Sequence, residues 1–178
     1  MSRIVITGGP GAGKTTLLLA LQALGYAIVG DSARTIIQDR RRRGLSPRPD
    51  PLAFAQDTLR MDIENFVHHA TRPDPVFFER GVLDALCGLD RVTPLDDSEL
   101  SVWLSKYQYF PKVFVLPPWK AIYVNDAERD HPFEHAESVN RITLEWYGRC
   151  GYQVLEVPMV SVDERCTFVL HALANDDA

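Results

Sequence analysis

The chain has 178 residues, 46% of them hydrophobic, which suits one α/β domain whose core buries roughly 70% of its extended-chain surface. A formal net charge of −5 argues against nucleic acid as the main partner, and no apolar run approaches the ~20 residues a membrane span needs. Cys87, Cys150 and Cys166 are odd in number, widely spaced and without a Cys-x-x-Cys, which fits reduced thiols in a cytoplasmic protein; a strand that starts at residue 3 leaves no room for a presequence.

Residues 3–7 read as a short apolar strand. Gly8-Gly9-Pro10-Gly11-Ala12-Gly13-Lys14-Thr15 follows and fits G-x-x-x-x-G-K-[ST]; residues 16–24 then read as a helix stopped by Gly25. Strand, glycine loop and helix together give the pattern a mechanism. Glycines let the backbone wrap a polyphosphate, and N–H groups from Gly11 to Thr15 are placed to point at its oxygens. Pro10 has no N–H and only stiffens the turn. The first helix adds the positive end of its dipole. Lys14 is placed to reach the β- and γ-phosphates and the Thr15 hydroxyl to ligate Mg²⁺. The nucleotide site expected from this is Gly9, Pro10, Gly11, Ala12, Gly13, Lys14, Thr15 and Thr16.

Further apolar β-like runs lie at 26–29, 76–78, 113–116 and 153–157, separated by helical patterns. This alternation predicts a parallel sheet with helices on both faces. Arg40-Arg41-Arg42-Arg43 reads either as a solvated helix end or as a patch that meets an anionic substrate or partner. Asp50-Pro51 opens a helix whose Leu52, Ala55, Leu59, Ile63, Phe66 and Ala70 share a face. Pro132 opens another, with Ala136, Val139, Ile142 and Trp146 inward and a stop at Gly151. Ser161 to Glu164 is a capping box that starts the last helix. Residues 44–49 and 90–98 read as loops.

Ligands of doubly wound sheets bind beyond the carboxyl ends of the strands, which singles out the charged residues there. Glu79 follows a buried run; it could hold a Mg²⁺-bound water, take a proton from an attacking hydroxyl, or simply pair with Arg80. Arg80 could grip a phosphate or neutralise Glu79. Asp31 and Arg34 could hold an acceptor molecule, or be a helix cap and a surface arginine. Asp84 divides between acceptor contact and helix pairing. The polar stretch of about 119–132 has the character of a lid, from which Arg129 would stabilise a transferred phosphoryl group or merely be solvated. His131 and His135 are spaced four apart, but no third metal ligand is evident.

The blocks 8–15, 31–34 (Asp-Ser-Ala-Arg), 79–84 (Glu-Arg-Gly-Val-Leu-Asp), 117–129 and 152–158 resemble a small P-loop ATPase-like family with an AAA-type domain. That family groups with ribosylnicotinamide kinase domains and, more distantly, thymidylate-type nucleotide kinases. The resemblance implies a three-layer fold with a five-stranded parallel sheet in the order 2-3-1-4-5. It implies phosphates at Gly11, Gly13 and Lys14, metal at Thr15, and a Walker B-like role for the strand ending at Glu79. Related kinases usually carry Asp-Arg where Glu79-Arg80 stands and Glu where Asp31 stands.

The expected activity is transfer of the ATP γ-phosphoryl group to an unidentified nucleoside- or nucleotide-like acceptor held by Asp31, Arg34 and Asp84. Lys14, Glu79, Arg80 and Arg129 would act catalytically, with Mg²⁺ as cofactor. The alternatives are an ATPase or nucleotide-dependent switch acting on a partner protein, and a binding module. ATP is the default donor because no Asn-Lys-x-Asp for guanine occurs in the chain.

Overall fold

The apolar runs form five parallel strands: β1 (Arg3–Gly8), β2 (Ala27–Val29), β3 (Val76–Glu79), β4 (Lys112–Leu116) and β5 (Gln153–Glu156). They pair in the order β2-β3-β1-β4-β5, the order the resemblance implies. The computed structural model describes residues 3–47, 49–123 and 132–174. Among the described residues, six α-helices lie between the strands and a seventh follows β5: α1 (Lys14–Ala23), α2 (Ser32–Arg42), α3 (Pro51–His68), α4 (Val82–Asp90), α5 (Asp97–Lys106), α6 (Phe133–Arg149) and α7 (Val162–Ala174). Among the described residues, no helix is long and apolar enough to cross a membrane.

Strand side chains alternate between two cores. Val5, Phe78, Val113 and Val115 face α3, α4, α5 and α6, where Leu59, Leu86, Leu100 and Tyr147 meet them. Ile4, Ile6, Phe77, Phe114 and Leu116 face α1 and α7, against Leu17, Leu21 and Val169. A central strand buried on both sides can be apolar at every position, which is why the runs show no polar alternation. Burying one such side chain contributes about 1.5–3 kcal/mol.

The helix ends follow their caps. Asp50 accepts the N–H groups of Leu52 and Ala53 at 3.0 and 3.1 Å, and Pro51 takes the first helical position. Ser161 and Glu164 form the reciprocal box that starts α7. Arg40, Arg41 and Arg42 occupy the last turn of α2, where cations suit the dipole. Two expectations need correction. The loop at 90–98 is shorter, because Asp96 caps α5 through the Glu99 N–H and the helix begins at Asp97. The inward face of α6 is Ala136, Asn140, Thr143, Trp146 and Tyr147, not one through Val139 and Ile142. That face is set by polar anchors: Trp146 Nε1 donates to the Leu83 carbonyl at 2.8 Å and Tyr147 to Asp84 at 2.6 Å.

Strand register sets the site. Ile6 lies opposite Glu79, and Gly8 opposite Leu116, so the carboxyl ends of β1, β3 and β4 converge. Gly8 has φ 130°, and a Cβ there would collide with the Leu116 carbonyl oxygen. A Cβ on Gly9 would lie 2.7 Å from the Ala136 carbonyl. Gly148, in α6, has open space around it. Gly8→Ala should therefore cost about 2 kcal/mol or more, whereas Gly148→Ala should stabilise by about 0.5–1 kcal/mol. Urea unfolding of the two variants checks this, and equal midpoints would contradict the packing described.

Candidate functional site

The loop between β1 and α1 bends through two glycines with positive φ, Gly11 at 76° and Gly13 at 86°. Gly13 is also the N-cap of α1 and offers no side chain, so the helix start is left open. Lys14 is 5% exposed, and its Nζ donates to the carbonyl oxygens of Gly8 (3.1 Å) and Gly9 (2.8 Å). Burial lowers its pKa to about 8, and the Arg80 guanidinium adds to the effect, against the pull of Glu79, Asp31 and Asp84. An ammonium desolvated this far is stabilised by any anion that enters the loop.

Thr15 donates its hydroxyl to Glu79, with distances of 2.9 and 3.1 Å to the two carboxylate oxygens. A hydroxyl facing a carboxylate at the end of a glycine loop is a hard oxygen pair of the kind Mg²⁺ takes. The residues present fit that ion. Among the described residues, no group of three or more His, Cys, Asp or Glu could hold a metal ion.

Arg80 stands at the centre. It is the one non-glycine residue with positive φ among those described, at 65°. Such a conformation costs about 1–3 kcal/mol and persists only where surroundings hold it. Its N–H donates to the Ile6 carbonyl (3.0 Å), Nη2 to the Gly8 carbonyl (3.3 Å), and Nη1 lies 3.3 Å from Asp31 Oδ2. Asp31 also caps α2 by accepting the Arg34 N–H at 3.2 Å. Burial alone would raise Asp31, but Arg80 and Lys14 overcome it and hold the carboxyl below its ordinary range.

Two cavities open here. The first, about 490 Å³, runs from the loop past Glu79 and Arg80 to Trp119, Ile122 and Arg165. The second, about 450 Å³, lies between α2, α3 and α4 and reaches Phe54, Asp62 and Asp84. Asp31, Ala33 and Arg80 line both.

The expected nucleotide residues divide between wall and support. Pro10, Gly11, Gly13, Lys14, Thr15 and Thr16 line the first cavity. Gly9 and Ala12 are buried and supply carbonyls, to Lys14 and, at 3.5 Å, to Arg165 Nη1. Arg34 belongs to the first cavity, with Nη1 3.4 Å from Thr15 Oγ1. Asp84 reaches the second cavity, but its oxygens already accept from Thr7 (2.5 Å), Tyr147 (2.6 Å) and the Gly81 N–H (3.1 Å). It ties β1, α4 and α6 together. Of the lid-like stretch, residues 119–123 and 132 are described; Arg129 lies outside the described residues.

Three contacts were not visible in the sequence. Arg165, 6% exposed, has its guanidinium 4.6 Å from the Trp119 ring centre and donates from Nε to the Val160 carbonyl at 2.9 Å. Tyr123 lies over Gly11, where a Cβ would come within 2.5 Å of its ring. Asp62, 5% exposed, accepts from Ser32 Oγ at 2.5 Å. Burial raises its pKa to about 7, with Asp84 and Asp31 adding to the rise against the Ser32 hydrogen bond.

Asp62 and Lys14 both give measurable proton linkage. Folded Asp62 keeps its proton up to about pH 7, while unfolded it loses it near 3.8. Between those values the folded state binds more protons, so this group's contribution to stability falls as pH rises and levels off above pH 7. Asp62→Asn should gain stability relative to the parent chain at pH 8 compared with pH 5, by urea unfolding; parallel profiles would contradict this. For Lys14, triphosphate binding at pH 8.5 should draw in a proton as the ammonium is restored. Calorimetry in buffers of different ionisation enthalpy reads that uptake, and buffer-independent heats would contradict it.

The fold has counterparts among solved structures. Deoxyadenosine kinase from M. mycoides with bound dATP superposes with TM-score 0.65 at 16% identity, over 98% of this chain and 100% of that one. The NadR protein in complex with NR gives 0.65 at 16% identity, over 98% of this chain and 51% of that one. Thymidylate kinase from Ehrlichia chaffeensis gives 0.61 at 17% identity, over 97% and 100%. At these identities the likeness is one of fold. No curated protein matches by sequence. The model of the AAA domain family matches residues 3–165, nearly the whole chain, and the protein belongs to that family.

Proposed function

We propose that this chain is a Mg²⁺- and ATP-dependent phosphotransferase whose acceptor is a small nucleoside-like molecule. One observation carries the reading: two cavities of similar size meet at Asp31 and Arg80, one built around the glycine loop and the other outside it. A simple ATPase needs room for a water; a 450 Å³ second cavity is within the range of roughly 300–1,000 Å³ that small-molecule sites occupy. Structural relatives named as a deoxyadenosine kinase, a thymidylate kinase and an NR complex support the same class.

In this reading the triphosphate lies along Gly11 to Thr16, and the nucleobase rests against the Trp119–Arg165 pair. Thr15 and Glu79 would hold Mg²⁺, which supplies charge neutralisation at the phosphates. Lys14 and Arg80 would stabilise negative charge as it moves from the γ- towards the β-phosphate. The acceptor oxygen attacks the γ-phosphorus from the second cavity while the bond to the β–γ bridging oxygen breaks and ADP leaves. Asp31 takes the acceptor's proton. It is kept ionised by Arg80 and lines both cavities, so it suits the proton better than Glu79, whose oxygens face Thr15. A weak base suffices because the transition state of phosphoryl transfer is loose and the proton can leave late. Arg129 would add charge stabilisation from the 119–132 stretch.

The test is ADP formation from MgATP with a panel of ribonucleosides, deoxyribonucleosides and ribosylnicotinamide. The reading expects turnover that rises at least tenfold on adding one of them. Lys14→Ala should lower MgATP binding or turnover at least tenfold, and Asp31→Asn should lower kcat by about 10²-fold or more with little change in the KM for ATP. Steady phosphate release indifferent to every acceptor would favour the ATPase or switch instead.

A further inference from the structure

Arg80 keeps its place between the two cavities in a left-handed backbone conformation, φ 65°, that a residue with a side chain adopts only under restraint. The restraint comes from both directions along the chain. At Arg80 itself, the N–H donates to the Ile6 carbonyl at 3.0 Å and fastens the residue to β1. Just beyond it, the Gly81 N–H donates to Asp84 Oδ2 and the Val82 N–H to Tyr109 Oη, each at 3.1 Å. Asp84 belongs to α4 and is a local partner. Tyr109 is 27 residues away from Val82 and belongs to another part of the sheet.

Tyr109 precedes β4, and the N–H of its neighbour Phe110 donates to the Arg3 carbonyl at 2.7 Å, so its backbone lies at the amino end of the sheet. The ring packs edge-on against Phe66 and Phe78, at 5.1 and 5.6 Å between centres, and the residue is 7% exposed. The hydroxyl thereby reaches the turn that follows β3. The approach is close: a Cβ on Gly81 would lie 2.6 Å from Tyr109 Oη and 2.9 Å from Cζ, so only glycine leaves room. Burial pushes the Tyr109 phenol above its ordinary range, so it stays a neutral hydroxyl and adds no charge beside Arg80. Phenylalanine at this position would keep the ring packing and lose only the contact with the turn.

We propose that Tyr109 is a positioning residue for phosphoryl transfer: its hydroxyl fixes the Arg80–Gly81–Val82 turn and so sets where the Arg80 guanidinium meets the transferred group. The inference rests on reading Arg80 as a stabiliser of charge on that group. Arg80 has little slack, with Nη2 3.3 Å from the Gly8 carbonyl and Nη1 3.3 Å from Asp31 Oδ2. A rotation of the turn behind it would move both nitrogens together. Misplacing a catalytic group by about 1 Å can cost ~10²-fold in rate, and loosening one of the hydrogen bonds at the turn should cost about tenfold. Ground-state binding of the triphosphate falls to the glycine loop and Lys14, which Tyr109 does not touch, so the loss belongs in kcat.

The experiment measures ADP formation from MgATP, with the acceptor that gives the most turnover, by the full parent chain and by Tyr109→Phe, Arg80→Ala, the double variant and Tyr152→Phe. Tyr152 is the control, because its Oη accepts the Tyr109 N–H at 3.2 Å and its loss removes a hydrogen bond from the same region without reaching the Arg80 turn. Tyr109→Phe is expected to lower kcat about tenfold and leave the KM for ATP within about twofold. In the Arg80→Ala background the same substitution should change kcat by less than about twofold, since it acts through the side chain already removed. Tyr152→Phe should match the parent. An unchanged kcat for Tyr109→Phe, an equal loss with Arg80 absent, or an equal loss in Tyr152→Phe would overturn the inference and leave the phosphotransferase reading intact. A Tyr109→Phe chain that does not fold would assign the hydroxyl to the fold and overturn it as well. No ADP with any acceptor, or full kcat in Arg80→Ala, would overturn the reading of the site and the inference with it.

Discussion

A lysine ammonium buried at the end of the central strand is the constraint on which the rest of the site depends. Removing such a group from water is expensive unless oxygen ligands replace it. Lys14 finds the carbonyls of Gly8 and Gly9, and both can turn towards it only because the loop bends through residues without side chains. The same bend leaves the α1 N-terminus open. The register of β1 with β3 then brings Glu79 and Arg80 beside the loop, since Ile6 and Glu79 are partners and the Arg80 N–H continues the ladder to the Ile6 carbonyl.

Charge is distributed around this point with opposite sense on the two sides. The loop side presents an uncapped helix, a destabilised ammonium and a buried arginine, Arg165, which is held by carbonyls and a tryptophan face. The far side presents the side-chain caps of α2 and α3 and three carboxyls. Arg80 divides the two, held by Asp31 and the Gly8 carbonyl in a backbone conformation that only strong local restraint sustains. Arg80 thus stands in the wall of both cavities.

Much of the fold is legible in the sequence because its signals are local. The doubly buried strands appear as unbroken apolar runs, and Asp50-Pro51 and Ser161 to Glu164 announce helix starts with side chains a few residues away. The glycine loop is legible for the same reason. What is hidden are meetings between distant segments. Trp119 follows β4 and Arg165 lies in α7, and nothing in the periodicity of either predicts their stacking. The inward face of α6 departs from its apolar spacing because Trp146 and Tyr147 orient the helix through a carbonyl and a carboxylate on α4. Asp84 illustrates the limit best: strand-end position marks it as important, but only three-dimensional contacts show that its oxygens are occupied in joining elements.

The central claim is that the loop from Gly8 to Thr15 encloses a triphosphate beside an acceptor cavity. The most direct measurement is a crystal structure of the full chain with magnesium, a non-hydrolysable ATP analogue and a turned-over acceptor. The account predicts phosphate oxygens in contact with Lys14 and the loop amides, the base against Trp119 and Arg165, and the acceptor hydroxyl between Asp31 and the γ-phosphate. A nucleotide bound elsewhere, with Lys14 still closed on the Gly8 and Gly9 carbonyls, would contradict it.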